Sequence, residues 1–106
     1  FEAPAGTMEP GEDPLKTAWR ELIEETGFAA KTIVEKGFIF TTPGYTDEKI
    51  FLFEARDLSP SQEFRKDEDE VIEVVDIAIS DLIGMIRNGT IVDAKTICLI
   101  HHCLGC

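Results

Sequence analysis

The sequence predicts an α/β sandwich in which a mixed sheet is held between helices. Three observations carry this expectation: a sharply bounded helix near the start, strand-like runs grouped after it, and two further helices at the end. Strict alternation of helix and strand would predict a doubly wound parallel sheet, whereas strands gathered between flanking helices predict a mixed one.

The first helix is marked at both ends. Asp13 suits an N-cap, Pro14 the first helical position, and Gly27 a stop after Thr26. Leu15, Ala18, Trp19, Leu22 and Ile23 recur at helical steps and form an apolar stripe for a core. On the far side stand Arg20, Glu21, Glu24 and Glu25. Acids this close on a helix repel by a few tenths of a kcal/mol per pair (~0.2–0.5), and Arg20, placed before Glu24, offsets only part of that. A divalent cation would reverse the sign. Oxygen-only donors select a hard ion such as Mg2+ or Mn2+, which keeps waters and binds substrate phosphates.

After this helix, Lys31 to Phe40 is β-like, with Gly37 as a bulge or bend. Thr41 to Glu48 is dense in turn formers and predicts a loop. Ile50-Phe51-Leu52-Phe53 is a continuous apolar run, as expected of a strand covered on both faces. Residues 57–70 lack apolar periodicity and end in the charge run Arg65 to Glu70, a solvated loop on composition alone. Val71 to Val75 predicts another strand. Ser80 would cap a helix running to Arg87 and stopped by Asn88-Gly89, and Asp93 would cap a last helix from Ala94 to about Leu104.

Gly6, Glu12 and the run Arg20-Glu21-Leu22-Ile23-Glu24-Glu25-Thr26-Gly27-Phe28 match the fixed positions of the Nudix box without a gap. The chain thus resembles the Nudix hydrolases, which cleave nucleoside diphosphates linked to another moiety, and the implied fold is the Nudix α/β/α sandwich. The resemblance implies Glu21, Glu24 and Glu25 as metal ligands, Arg20 as a brace of the helix, and Glu12 as the tie between loop and helix. Thr42-Pro43-Gly44, followed by Glu48, resembles the loop of the ADP-ribose pyrophosphatase branch, although a threonine stands at the usual serine. In that branch the carbonyl at Ala5 also reaches a metal, Pro43, Gly44 and Glu48 would lie at the substrate, and an acid of the later loop, Glu68 or Glu70, would activate or orient water. Glu24 and Arg20 complete the implied catalytic set. Asp93-Ala94-Lys95-Thr96 resembles the start of the terminal helix in this branch. The Nudix fold places several strands before the box, so the sheet is expected to be incomplete at the N-terminus of this sequence. The implied whole is a homodimer.

Length and charge narrow the alternatives. The 106 residues are enough for one domain. A net charge of -11 argues against a basic surface for nucleic acid or anionic lipid, and an anionic substrate would need metal to approach it. No apolar run reaches the roughly 20 residues of a membrane span, and no signal peptide is visible, so a cytoplasmic setting is expected. Cys98, Cys103 and Cys106 are odd in number and crowded at one end, unlike a disulfide framework; with His101 and His102 they match no common zinc-finger spacing. Two alternatives to ADP-ribose hydrolysis to AMP and ribose 5-phosphate remain: another nucleoside diphosphate sugar, or a non-catalytic Nudix-like sensor. Such sensors usually lose acids from the box, and here all are present.

Overall fold

Helix α1, Pro14–Thr26, forms where the sequence places it. Pro14 stands in the first turn, where its missing N–H is no loss. Asp13 takes the N-cap position with extended backbone, but its side chain makes no cap bond; its carbonyl instead accepts the Thr17 N–H at 3.0 Å. Gly27 ends the helix in a left-handed conformation (φ 78°) and donates to the Ile23 carbonyl at 2.9 Å. In this computed structural model, residues 1–61 and 73–105 are described.

Two short strands follow from this cap. β1, Phe28–Ala29, pairs antiparallel with the later β4, Ser59–Pro60, in the register Phe28 with Pro60 and Ala29 with Ser59. The sequence did not signal this pair. Two residues carry too little periodicity, and a proline survives there only because this ribbon asks for few N–H donors. Between them lie β2, Thr32–Phe40, and β3, Lys49–Arg56, which form a second two-stranded sheet. The Thr41 N–H donates to Glu48 at 3.4 Å at one end of this hairpin, and the Lys31 N–H to Arg56 at 3.0 Å at the other, so the strands run antiparallel. Gly37 sits inside β2 at φ 112°, a conformation only glycine adopts readily, at the place where the sequence predicts a bulge or bend, and the strand continues through it to Phe40.

The expected strand over Val71 to Val75 is not found in its described part. Val71 and Ile72 lie outside the described residues, and 73–75 are irregular, with Val74 and Val75 about half exposed. Helix α2, Ile79–Arg87, starts one residue before the expected cap: Ala78 is the N-cap residue, and Ser80 is already helical. Helix α3, Ala94–Leu104, is capped as expected, with the Asp93 carboxylate accepting the Thr96 N–H at 3.1 Å and the Thr96 hydroxyl at 2.6 Å.

The chain divides into two compact units. One comprises Phe1–Ala3, Lys36–Leu52 and Val75–Cys106, and the other Pro4–Glu35 and Phe53–Val74. In the first, Leu52, Ile91 and Ile100 are buried. There the Thr96 hydroxyl, itself buried, accepts the Ala3 N–H at 2.9 Å, fastening the start of the chain to α3. In the second, Thr17 is the buried residue of α1, while Ala18, Trp19, Leu22 and Ile23 are half-buried and Leu15 is exposed. The apolar stripe is therefore only partly covered. No described helix is long and apolar enough to cross a membrane.

Candidate active site on the acidic face of the first helix

Arg20 is the hub of the site. Its Nε and Nη2 donate to the two oxygens of Glu12 at 3.0 and 2.8 Å, a forked pairing that fixes both planes. Its Nη1 donates to Glu21 at 2.8 Å and to Glu24 at 3.1 Å, and Nη2 also reaches the Thr7 carbonyl at 3.3 Å. One guanidinium thus binds the loop before α1 to two of the three acids on the helix. The forked geometry demands arginine, since a lysine ammonium could not hold Glu12 and Glu21 in one plane.

Glu12 is held more tightly than a loop acid needs to be. Oε1 accepts the Glu9 N–H at 3.0 Å, the Thr17 hydroxyl at 2.7 Å and Arg20 Nη2, so its charge is met on all sides. Arg20, and after it the Glu9 amide and the Thr17 hydroxyl, hold the Glu12 pKa down to about 2 from the ordinary 4.5. The same pairing pushes Arg20 further up from its already high value.

A second seam joins the loop to the acids. The Ala5 N–H donates to Glu25 Oε2 at 2.8 Å. At Gly6 the backbone lies so close to Glu21 that a Cβ there would overlap the Glu21 Cδ, Cγ and Oε2 atoms. Glycine at this position is therefore a matter of space; its φ is not among the positive ones. The main chain of Ala5-Gly6 is pressed against two of the three carboxylates.

The structure thus brings together Ala5, Gly6, Glu12, Arg20, Glu21, Glu24 and Glu25 in one unit, with Gly27 closing the helix behind them. Among the described residues no three Asp, Glu, His or Cys side chains converge as a ready-made metal centre. Glu21 and Glu24 are turned to Arg20, and Glu25 to the Ala5 amide. The donor chemistry nonetheless fits a hard divalent cation, because the groups along this face are carboxylate and backbone oxygens and three carboxylates share one guanidinium.

The hairpin loop belongs to the other unit. Gly44, at φ 96°, follows Pro43 in a turn that brings the Tyr45 and Thr46 N–H groups to the Thr42 carbonyl, both at 3.1 Å. The Glu48 carboxylate accepts the Thr41 hydroxyl at 2.7 Å. Glu68 and Glu70 lie outside the described residues. Sequence reasoning missed Thr17 and the Ala5 amide. A threonine beside an apolar stripe reads as filler, and its only signal was a place one turn before Arg20 and Glu21.

The NUDIX domain profile matches residues 1–99 of the chain. Over 102 residues the chain is 41% identical to the ADP-ribose pyrophosphatase of Bacillus subtilis (strain 168), an alignment covering 95% of this chain and 55% of that protein. It is 36% identical to the methanol dehydrogenase activator of Bacillus methanolicus, with the same coverages. To the GDP-mannose pyrophosphatase of Cronobacter sakazakii (strain ATCC BAA-894) it is 38% identical over 104 residues, covering 96% of this chain and 54% of that protein. The chain spans about half the length of these relatives. With the profile matching nearly the whole chain, and with Arg20 binding Glu12, Glu21 and Glu24 of the box into one network, the chain belongs to the Nudix family.

Proposed function

We propose that the protein hydrolyses the pyrophosphate bond of ADP-ribose, giving AMP and ribose 5-phosphate, with Mg2+ as the cofactor and Mn2+ as a substitute. The observation that supports this most is the acidic face of α1, held by Arg20 and pressed against the Ala5-Gly6 backbone. Glu21, Glu24 and Glu25, with the Ala5 carbonyl, are the oxygens that would hold the ion. Bound there, it would neutralise charge on the bridging oxygens and lower the pKa of the attacking water. In the reaction water adds to one phosphorus, the bridging P–O bond breaks, and two phosphate monoesters are released.

The chain's own groups have separable tasks. Arg20 keeps Glu21 and Glu24 from splaying apart, and Glu12 keeps Arg20 aimed. Pro43, Gly44 and Glu48 are assigned to the substrate, and Glu70 or Glu68 to accepting the proton of water. The similarity to GDP-mannose pyrophosphatases supports a second reading, another nucleoside diphosphate sugar, because the acids of the box serve the pyrophosphate and not the groups on either side of it. The proposal includes a cytoplasmic setting, where the free thiol of Cys98 stays reduced, and a homodimer as the working form.

The test is chromatographic separation of products from ADP-ribose and from GDP-mannose with and without Mg2+, for the wild type and for Glu25→Gln, Glu68→Gln and Glu70→Gln. Glu25→Gln should cut kcat by more than the roughly 10–100-fold typical of a residue one step removed from a metal. One loop variant should lose about 10²–10⁴-fold, the usual share of a general base. Equal Mg2+-dependent turnover in wild type and Glu25→Gln would refute the metal assignment, and turnover of GDP-mannose alone would select the second reading.

A further inference from the structure

We propose that Thr17 is a positioning residue of this site: its hydroxyl sets the Glu12 carboxylate, and through it the Arg20 fork that holds Glu21 and Glu24. The inference rests on the functional reading above for its catalytic consequence, and on geometry alone for the positioning. Thr17 is the buried residue of α1, at 6% exposure, on a helix whose other described residues are half-buried or exposed. A buried hydroxyl must find an acceptor or destabilise the fold. Two are within reach, the Asp13 carbonyl at 3.2 Å and Glu12 Oε1 at 2.7 Å. A hydroxyl has one hydrogen to give, and the nearer, charged acceptor takes it. The bond to Asp13 is the ordinary backward bond of a helical threonine; the bond to Glu12 is not, since it leaves the helix and reaches the preceding loop.

Its position gives this bond leverage. Thr17 stands one turn before Arg20 and Glu21, so Thr17 and Arg20 meet Glu12 from successive turns of one helix. Arg20 holds Glu12 at the end of a long flexible stem, and its fork is shared with Glu21, Glu24 and the Thr7 carbonyl. The threonine hydroxyl is carried directly on Cβ, with χ1 alone between it and the main chain and only two rotamers favoured in a helix, so it follows the helix backbone far more closely than the Arg20 fork does. Thr17 therefore fixes the Glu12 carboxylate relative to the helix axis, and the fork must align to a carboxylate already in place. Removing the hydroxyl leaves Glu12 held by Arg20 and by the Glu9 amide of its own loop, with no short tie to the first turn of α1, which loosens Glu21 and Glu24 without breaking any bond to them.

The test compares Thr17→Val and Thr17→Ala, which lack the hydroxyl, with Thr17→Ser, which keeps it. The direct readout is solvent exchange of the Arg20 Nε–H, followed by 15N NMR, which needs neither metal nor substrate. Exchange should quicken at least about fivefold in the Val and Ala variants and stay near wild type in Ser. Mn2+ binding read by electron paramagnetic resonance should weaken several-fold in the first two and not in the third. With ADP-ribose or GDP-mannose, the loss should fall on kcat, by about tenfold, with KM little changed. Unchanged exchange in a folded Val or Ala variant overturns the proposal, as does a Ser variant as impaired as Val, which would assign the effect to packing of the methyl. Should the wild type hydrolyse neither substrate, the exchange and Mn2+ measurements still decide the positioning role, and only the functional reading fails.

Discussion

At the scale of single residues, the site depends on where bulk is absent as much as on charge. Gly6 leaves the room in which Glu21 lies, so Gly6→Ala must push either the loop or the carboxylate aside. Overpacking of this kind costs about 1–3 kcal/mol. We expect Gly6→Ala to lower the melting temperature and to depress pyrophosphate hydrolysis, with thermal melts and kcat as the measurements. Gly11→Ala is the informative control. Gly11 has open space around its Cβ position but a φ of 76°, so its substitution strains the backbone without crowding an acid, and it should lower stability while leaving activity per folded molecule near wild type.

At the scale of elements, the loop Glu9–Glu12 and helix α1 are one device, and its strength is set by pH. The folded protein holds Glu12 at about 2, below the ordinary 4.5, so the ionised form is the one that folding favours. This contribution is fully present above pH 4.5 and is lost as pH falls through about 2. Asp93 at the start of α3 is shifted in the same direction, chiefly by the Thr96 hydroxyl, and adds to the same acid loss. Thermal melts from pH 6 to 2 should therefore show a fall in melting temperature that is shallower, though not absent, in Glu12→Gln; an identical slope would remove Glu12 from the account. Much of this device was legible in the sequence, because caps, helical spacing and the acids are local features of α1. What was not legible depended on contacts between loop and helix. The Asp13 side chain makes no cap bond, and Asp13 meets the helix through its carbonyl, while Glu12 before it takes the Thr17 hydroxyl and Arg20. The β1–β4 pair and the Ala5 bond to Glu25 join residues far apart in sequence, and no periodicity announces them.

At the scale of the whole molecule, each described sheet has only two strands and both their outer edges lack a described partner strand, while Phe38 and Phe40 on β2 are about half exposed. Edges and aromatic side chains of this kind are what further strands of the full-length protein or a second copy would cover, and the proposed dimer concerns that full-length protein. Sedimentation of the full-length protein at micromolar concentration should give twice its monomer mass, and a fully active monomer would contradict it. The net charge of -11 sets the terms on which an anionic nucleotide approaches, and it favours small cations everywhere on the surface. Against that background the Arg20 fork has a selective consequence. Two of the three acids on α1 already hold a tethered cation whose local concentration never falls, however dilute the solution. An abundant monovalent ion such as K+ brings little charge with which to compete, so under the proposed function this face is expected to discriminate against K+ and to favour an ion of higher valence.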